Sequence, residues 1–414
     1  MTIFAHKFTK QQIMEHLKVR NFGPIPNLDI DIKKVNVFIG EQGVGKSTIA
    51  KLLSCCRDLY LYYLIAHAEK DERIKYIFGI HGIQAYLRMD TYIEYHSYGT
   101  WHLLYKDGKF TISNDRHNDV KGLTSYLIRK GLEDICLKVG HKPHTEFSSD
   151  EFSEFLDKNF RIASSHLRTS FYCPAERGIV GTLSRAMASL TLSEVPLPLT
   201  LLEFMSFFEK ARSEYNSYNI PFLGLEYKYD NGEDLVSNNE YSIPLRYASS
   251  GIQTVIPLLM VIDYCLTHKF FNSFTVEEPE LNLFPSNQLH LLRTLIKKTN
   301  GSTEDDFASW TITTHSPYLL SVLNISLLAG IITEKFPREF SKLHDVFPKE
   351  YIILPNQISV YALDKHSDNY CQSIIDKSTG LIKANYLDSI SDVISSEFNV
   401  LYKLYINLIK NYKD

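Results

Sequence analysis

Eight consecutive residues, Gly40-Glu41-Gln42-Gly43-Val44-Gly45-Lys46-Ser47, have the spacing G-x-x-x-x-G-K-S. Glycines at those places let backbone N–H groups curl around phosphate oxygens without a Cβ in the way, and the Lys46 amine reaches the outer phosphates. The flanks agree. Val35 to Ile39 is an apolar, strand-like run, and Thr48 to Leu64 reads as a helix whose N-terminus adds its positive dipole end. The chemistry is nucleotide phosphate binding, with Gly40, Gly43, Gly45, Lys46, Ser47 and Thr48 as the binding set and ATP with Mg²⁺ as ligands. Ser47 would bring a hydroxyl to the Mg²⁺.

A second segment, Phe274-Thr275-Val276-Glu277-Glu278-Pro279-Glu280, is a β-prone apolar run that ends in carboxylates. A parallel strand would deliver them to the phosphate site. Adjacent carboxylates alternate across a strand end, so two jobs separate: Glu277 in the Mg²⁺ shell, and Glu278 orienting the attacking water. A solvated acidic loop after a core strand is the competing reading.

Three further segments carry a family resemblance. Tyr247-Ala248-Ser249-Ser250-Gly251-Ile252-Gln253, Val276 through Pro285, and Thr313-Thr314-His315-Ser316-Pro317 look like the signature, the Walker B with D-loop, and the switch histidine of ABC-type ATPases. The match is to the branch with the RecF-like and OLD-like ATPases and the ATPase subunits of bacterial antiphage systems. Leu17 through Ile25 resembles that branch's first strand, and Phe171 through Arg177 another common segment.

The resemblance implies an α/β fold: a P-loop NTPase with an ABC-type ATPase head, a mixed sheet, an antiparallel β-subdomain and helical insertions. It also implies a head-to-tail homodimer or higher oligomer, in which Ser249, Ser250 and Gly251 of one chain close over ATP held by the other. Two helix N-termini would then face one triphosphate. His315, after a strand over Trp310 to Thr314, would contact the γ-phosphate or the water. Two departures from the wider pattern, Glu277 in place of aspartate and Ser-Ser-Gly-Ile-Gln in place of Ser-Gly-Gly-Gln, are in keeping with the OLD-like branch. No Q-loop glutamine can be placed. Glu176 and Arg177 stand in the segment that might replace it, with an ordinary surface salt bridge as the alternative.

Composition fits a soluble globular enzyme: 414 residues, 44% hydrophobic, formal net charge −4. No overall basic field advertises nucleic acid, which leaves DNA contact to a local groove. Met1 to Gln12 lacks an apolar leader core, and the longest apolar run, Val255 to Ile262, is too short for a bilayer. A cytoplasmic protein without membrane contact is expected. Six scattered cysteines without C-x-x-C spacing speak against a disulfide framework or zinc ribbon, and Cys136 with His141 and His144 reads as a loop.

The elements that must position these residues read as one ATPase domain over 1–414, with insertions at 54–170 and 181–222 and a C-terminal extension over 330–414. Hairpins are expected around Lys106-Asp107-Gly108-Lys109 and Asp230-Asn231-Gly232. Capping-box spacings at Ser148 with Glu151 and Thr200 with Glu203 start two helices, the second burying Leu201, Leu202, Phe204, Met205 and Phe208. Tyr351 to Leu363 reads as strand and Tyr386 to Tyr412 as helix. No sustained heptads predict a long coiled-coil arm. The tail lacks the glutamate and Asp-x-Asp spacing of a Toprim nuclease, so cleavage would fall to a separate protein. Three functions stay open: an ATPase subunit controlling a nuclease effector in antiphage defence, a RecF-like repair ATPase clamping duplex DNA, and a low-turnover nucleotide-binding scaffold.

Overall fold

The computed structural model describes residues 15–67, 71–97, 100–138, 170–183, 196–271, 273–300, 308–383 and 398–403. Six strands form its central sheet: β3 (Val35–Gly40), β7 (Ser170–Cys173), β12 (Ser273–Glu277), β13 (Ser309–Thr314), β14 (Ile358–Leu363) and β15 (Cys371–Ser373). Their order is β7, β12, β13, β3, β14, β15, and only the edge strand β15 runs antiparallel. Burial is nearly continuous along β12, β13 and β14, as a parallel sheet covered on both faces requires.

Alternation along β3 sends Val35 and Val37 to one face and Phe38 to the other. The first face packs on helices from the middle of the chain. The second carries α1 (Lys46–Cys56), α2 (Leu59–Ala66) and a five-stranded antiparallel sheet. That sheet has the order β2 (Ile25–Ile32), β1 (Glu15–Phe22), β4 (Tyr92–His96), β5 (Trp101–Lys106), β6 (Lys109–Asn114). A separate four-stranded sheet holds β8 (Ser217–Ile220), β9 (Leu225–Asp230), β10 (Glu233–Ser237) and β11 (Ser242–Pro244). The expected antiparallel part is therefore two sheets. Both expected turns are present, with positive φ at Asp107 and Gly108 and at Asn231 and Gly232, the backbone a two-residue hairpin turn needs.

Three further helices are α3 (Asp71–Ile80) and α4 (Val120–Lys138), both between residues 54 and 170, and α5 (Ile179–Leu183), which straddles residue 181. On the central sheet's first face lie α6 (Leu199–Glu214), α7 (Ser250–Thr267), α8 (Pro285–Thr299) and α9 (Pro317–Lys335). Leu201, Phe204, Met205 and Phe208 of α6 are buried in this core, as their spacing requires, and Leu202 packs against it.

Several expectations change. The helix expected from Thr48 to Leu64 is broken at Arg57, and Asp58 caps α2 by accepting from Tyr60 N at 2.8 Å. Thr200 caps nothing: α6 starts at Leu199 after Pro198, and Thr200 lies buried inside it. Of Tyr351 to Leu363 only Ile358–Leu363 is strand, two short 3₁₀ turns preceding it. β14 pairs with β3 inside the central sheet, from within the segment expected to be an extension. The longest apolar run, Val255 to Ile262, is expected to be too short for a bilayer, whereas helices α7 and α9 are both long and apolar enough by length and composition to cross a membrane, and both place residues in the larger core. The Ser148 capping box, His141, His144 and most of Tyr386 to Tyr412 fall outside the described residues.

The break at Arg57 ties the layers together. Its Nε and Nη2 donate to Glu15 Oε1 and Oε2 of β1 at 2.7 and 2.8 Å, and Nη1 donates to Ser273 Oγ at the start of β12 at 3.2 Å. Tyr95 Oη of β4 also donates to Glu15, which is fully buried. A bidentate pair in a dry site is strong only while both partners are present. Replacing Glu15 by Ala removes the bidentate partner of a buried Arg57 charge. Urea unfolding of Glu15→Ala is expected to show a loss of about 3–5 kcal/mol; a loss under about 1 kcal/mol, the range of a solvent-exposed pair, would remove the tie.

Candidate functional site

The register of the central sheet decides where the chemistry stands. Glu277 pairs with Thr313, Thr313 with Phe38, and Ile39 with Ala362, so β12, β13, β3 and β14 end at one level. The residues that leave those strands are Glu278, His315 and the Gly40–Ser47 loop. Open α/β sheets bind ligands at this carboxyl edge.

The loop turns on Gly45, which precedes α1 with φ 103°. A Cβ there would lie 2.6 Å from Tyr370 Oη, and that buried hydroxyl donates to Val44 O, pinning the loop from a residue just before β15. No side chain caps α1 and its first turn holds no acid, which leaves the helix N-terminus suited to an anion. Lys46 Nζ donates to Gly40 O at 2.8 Å and Glu41 O at 2.7 Å. Burial brings the Lys46 pKa down to about 8, against the opposing pull of Glu278, Glu280 and Glu277. Ser47 is half-buried and Thr48 buried in the first turn of α1.

Three carboxylates stand at the end of β12: Glu277 closes the strand, and Glu278 and Glu280 follow it. Glu277 is buried; its Oε2 accepts from Ala175 N at 3.3 Å, and its Oε1 has no hydrogen-bond partner among the described residues. Burial first, and the Glu277 charge second, push the nearby Tyr172 hydroxyl well above its usual pKa. Glu278 sits at φ 40°, a left-handed backbone that costs a non-glycine residue about 1–3 kcal/mol. Its Oε1 lies 3.3 Å from His315 Nε2. Glu280 is buried, and its Oε1 accepts from Thr314 Oγ1 at 2.5 Å and from His315 N at 3.1 Å. Burial raises the Glu280 pKa.

His315 bridges acid and base. Its Nδ1 is 3.5 Å from Lys46 Nζ while Nε2 faces Glu278, which assigns the proton to Nε2 because the ammonium can only donate. Burial, and Lys46 after it, hold its pKa below the usual value, so the ring is neutral at neutral pH. Lys46, His315 and Glu278 thus form one polar chain.

Ser249 precedes α7 without capping it, and the first turn again holds no acid. Gln253 Nε2 shapes this turn by donating to Arg246 O at 2.9 Å and Ala248 O at 3.0 Å. Gly251 is required: a Cβ there would meet Asn282 O, in the loop after Glu280, at 2.6 Å. Tyr247, two residues before Ser249, and Phe284, two residues after Asn282, are exposed. The structure therefore joins Lys46, Glu278 and His315 directly, whereas among the described residues no hydrogen bond links Ser249, Ser250 or Gly251 to the phosphate loop.

Arg177 departs from the expected surface salt bridge. It is fully buried, and its guanidinium donates to the backbone carbonyls of Pro174, Glu277 and Glu278. Sequence reasoning also left Glu280 and Tyr370 without a role. Glu280 stands inside a segment already singled out, whereas Tyr370 reaches Val44 from 326 residues away and carries no local signal.

The residues present fit ATP with Mg²⁺. Two uncapped helix starts, a curled glycine loop and a lysine suit phosphates, and the unpartnered Glu277 Oε1 with the Ser47 hydroxyl suits the cation. No set of three or more His, Cys, Asp and Glu among the described residues could hold a metal by itself. Mg²⁺ commonly binds with few protein ligands, substrate phosphates and water completing its shell.

The family model described as AAA ATPase domain matches residues 200–320, which include Ser249, Glu277, Glu278 and His315. With the Gly40–Ser47 loop, this indicates a P-loop ATPase. No curated protein matches the chain. Among solved structures, the SMC head domain from Thermotoga maritima is similar at 11% identity and TM-score 0.37, over 75% of this chain and 91% of that one. An SmcHead bound to the C-winged helix domain of ScpA is similar at 13% identity and TM-score 0.37, over 87% and 96%. The Smc head with an extended coiled coil from Pyrococcus furiosus has 11% identity and TM-score 0.37, over 87% and 95%. Likeness this loose assigns no residue a role.

Gly45→Ala tests the loop. A methyl group at φ 103° that also displaces Tyr370 is expected to weaken ATP affinity at least about tenfold in calorimetric titration, through a strained backbone. Unchanged affinity would mean that the loop does not need this conformation.

Proposed function

We propose that the chain binds and hydrolyses ATP at the carboxyl edge of its central sheet and works as a head-to-tail pair. The observation that carries this reading is the contact chain from Lys46 through His315 to Glu278, built from three separated sequence segments at one strand level. Phosphoryl transfer asks the protein mainly to position groups and neutralise charge. Lys46 carries charge for the outer phosphates. Glu278 orients and deprotonates the attacking water, with neutral His315 fixing the direction of its carboxylate. Ser47 and Glu277 would hold Mg²⁺, whose charge offsets that of the phosphates.

The second half of the site comes from another copy in this reading. Ser249, Ser250 and Gly251 stand at an uncapped helix start, and their resemblance to an ABC signature supports a role over the partner's ATP. Exposed Tyr247 and Phe284 beside them suit a covered seam. The same resemblance supports a subunit that controls a separate effector, a nuclease, in a cytoplasmic antiphage complex. Nucleotide state would set how the heads pack and hence what the effector can do.

Glu278→Gln is expected to retain ATP, lower turnover about 100- to 10,000-fold and enrich a dimer in light scattering; wild-type turnover would remove Glu278 as base. Lys46→Ala is expected to abolish nucleotide binding. Mixing Lys46→Ala with Ser249→Arg leaves one intact composite site per heterodimer, so the mixture is expected to recover activity that neither variant has alone. A mixture as inactive as its components would place the site within one chain. Co-expression with the neighbouring genes is expected to give a complex whose effector activity changes between ATP-bound Glu278→Gln and Lys46→Ala; equal activity would remove the controlling role.

A further inference from the structure

Glu278 combines a left-handed backbone with a buried guanidinium bound to its carbonyl. Arg177 is fully buried, and among the described residues it makes no ion pair, although burial of an unmatched charge is costly. Its Nη1 donates to Glu277 O at 2.6 Å and Pro174 O at 3.0 Å, and its Nη2 to Glu278 O at 2.7 Å.

We propose that Arg177 is a positioning residue for hydrolysis: its planar fork grips the successive carbonyls of Glu277 and Glu278 and thereby aims the Glu278 carboxylate. The proposal rests on the reading of Glu278 as base.

The placement follows from the sheet. β7 runs parallel beside β12, with Cys173 opposite Val276, so the turn Pro174 to Arg177 leaves its strand next to the turn that carries Glu278. Glu278 is then held on both peptide planes. Its N–H donates to Thr313 O at 2.9 Å, and its carbonyl accepts from Arg177 and from Leu281 N at 3.0 Å. These bonds hold φ at 40°, where the side chain meets His315 at 3.3 Å. A left-handed glutamate persists only where its surroundings over-determine it. Release of the carbonyls lets the backbone return to ordinary φ and swings the carboxylate off the histidine. Lysine keeps the charge but has one nitrogen in place of a two-pronged fork.

The test compares the full chain with Arg177→Lys, Glu278→Gln and the double variant by kcat, ATP Kd and thermal melting. Arg177→Lys is expected to lower kcat about 100-fold, the loss that a small misplacement of a reacting group produces. Its Kd should stay within about threefold of wild type, and Arg177→Lys should subtract nothing further once Glu278→Gln is present, as for residues that act as a unit. A plug that merely holds the strand ends would weaken binding along with kcat and would add to the Glu278→Gln loss. Either result overturns the clamp, as does an Arg177→Lys chain with no thermal transition. Stalled Glu278→Gln beside full-rate Arg177→Lys refutes the clamp alone, whereas full-rate Glu278→Gln removes the base and the clamp together.

Discussion

The in-register parallel pairing of β3, β13 and β12 is the constraint from which the site follows. Because Phe38, Thr313 and Glu277 lie side by side, the three chains that leave the sheet do so at one height. A glycine loop, a histidine and a glutamate then meet without any of them being near another in sequence. A shift of one residue in β12 would invert the faces of its side chains and exchange the places of Glu277 and Glu278. The core resists such a shift: Trp310 stacks on Phe274 across the two strands at 5.1 Å, and its Nε1 donates to Thr299 Oγ1 of α8 at 2.8 Å.

Charge is the cost of this arrangement. Lys46, Arg177, Glu277, Glu278 and Glu280 are gathered where water is scarce, and the depressed Lys46 and raised Glu280 pKa values record it. The cluster is tolerable because four of the five charges are met by backbone, Lys46 and Arg177 by carbonyls and Glu277 and Glu280 by amide N–H groups, while Glu278 faces the His315 ring. Backbone dipoles are fixed by the sheet and the loop, so they solvate charge without having to reorganise. Far from the edge, the Glu15–Arg57 pair joins β1 to the end of α1, and α1 begins at Lys46. The phosphate loop is thereby anchored through its own helix to the antiparallel sheet.

What was legible in the sequence is what local chemistry decides. The loop at Gly40 to Ser47, the strands before Glu277 and His315, and the hairpin turns at Asp107-Gly108 and Asn231-Gly232 are all set by residues within a few positions of each other. Distant partners decide the rest. The helix after the loop stops at Arg57 because that side chain engages Glu15 and Ser273, neither of them visible from helical periodicity. Thr200 has the spacing of a cap, but Pro198 starts the helix earlier and packing draws the threonine inside. Arg177 looks like a surface residue until β7 is placed beside β12, and Tyr370 gains meaning only once β14 is inserted next to β3.

The central claim is that ATP is consumed at a site to which two copies both contribute. ATP turnover per chain, followed from nanomolar to micromolar protein with the mass distribution measured in the same samples, tests it most directly. A shared site predicts turnover per chain that climbs with concentration and levels off as dimers fill. Constant, full-rate turnover in samples that contain only monomers would contradict it.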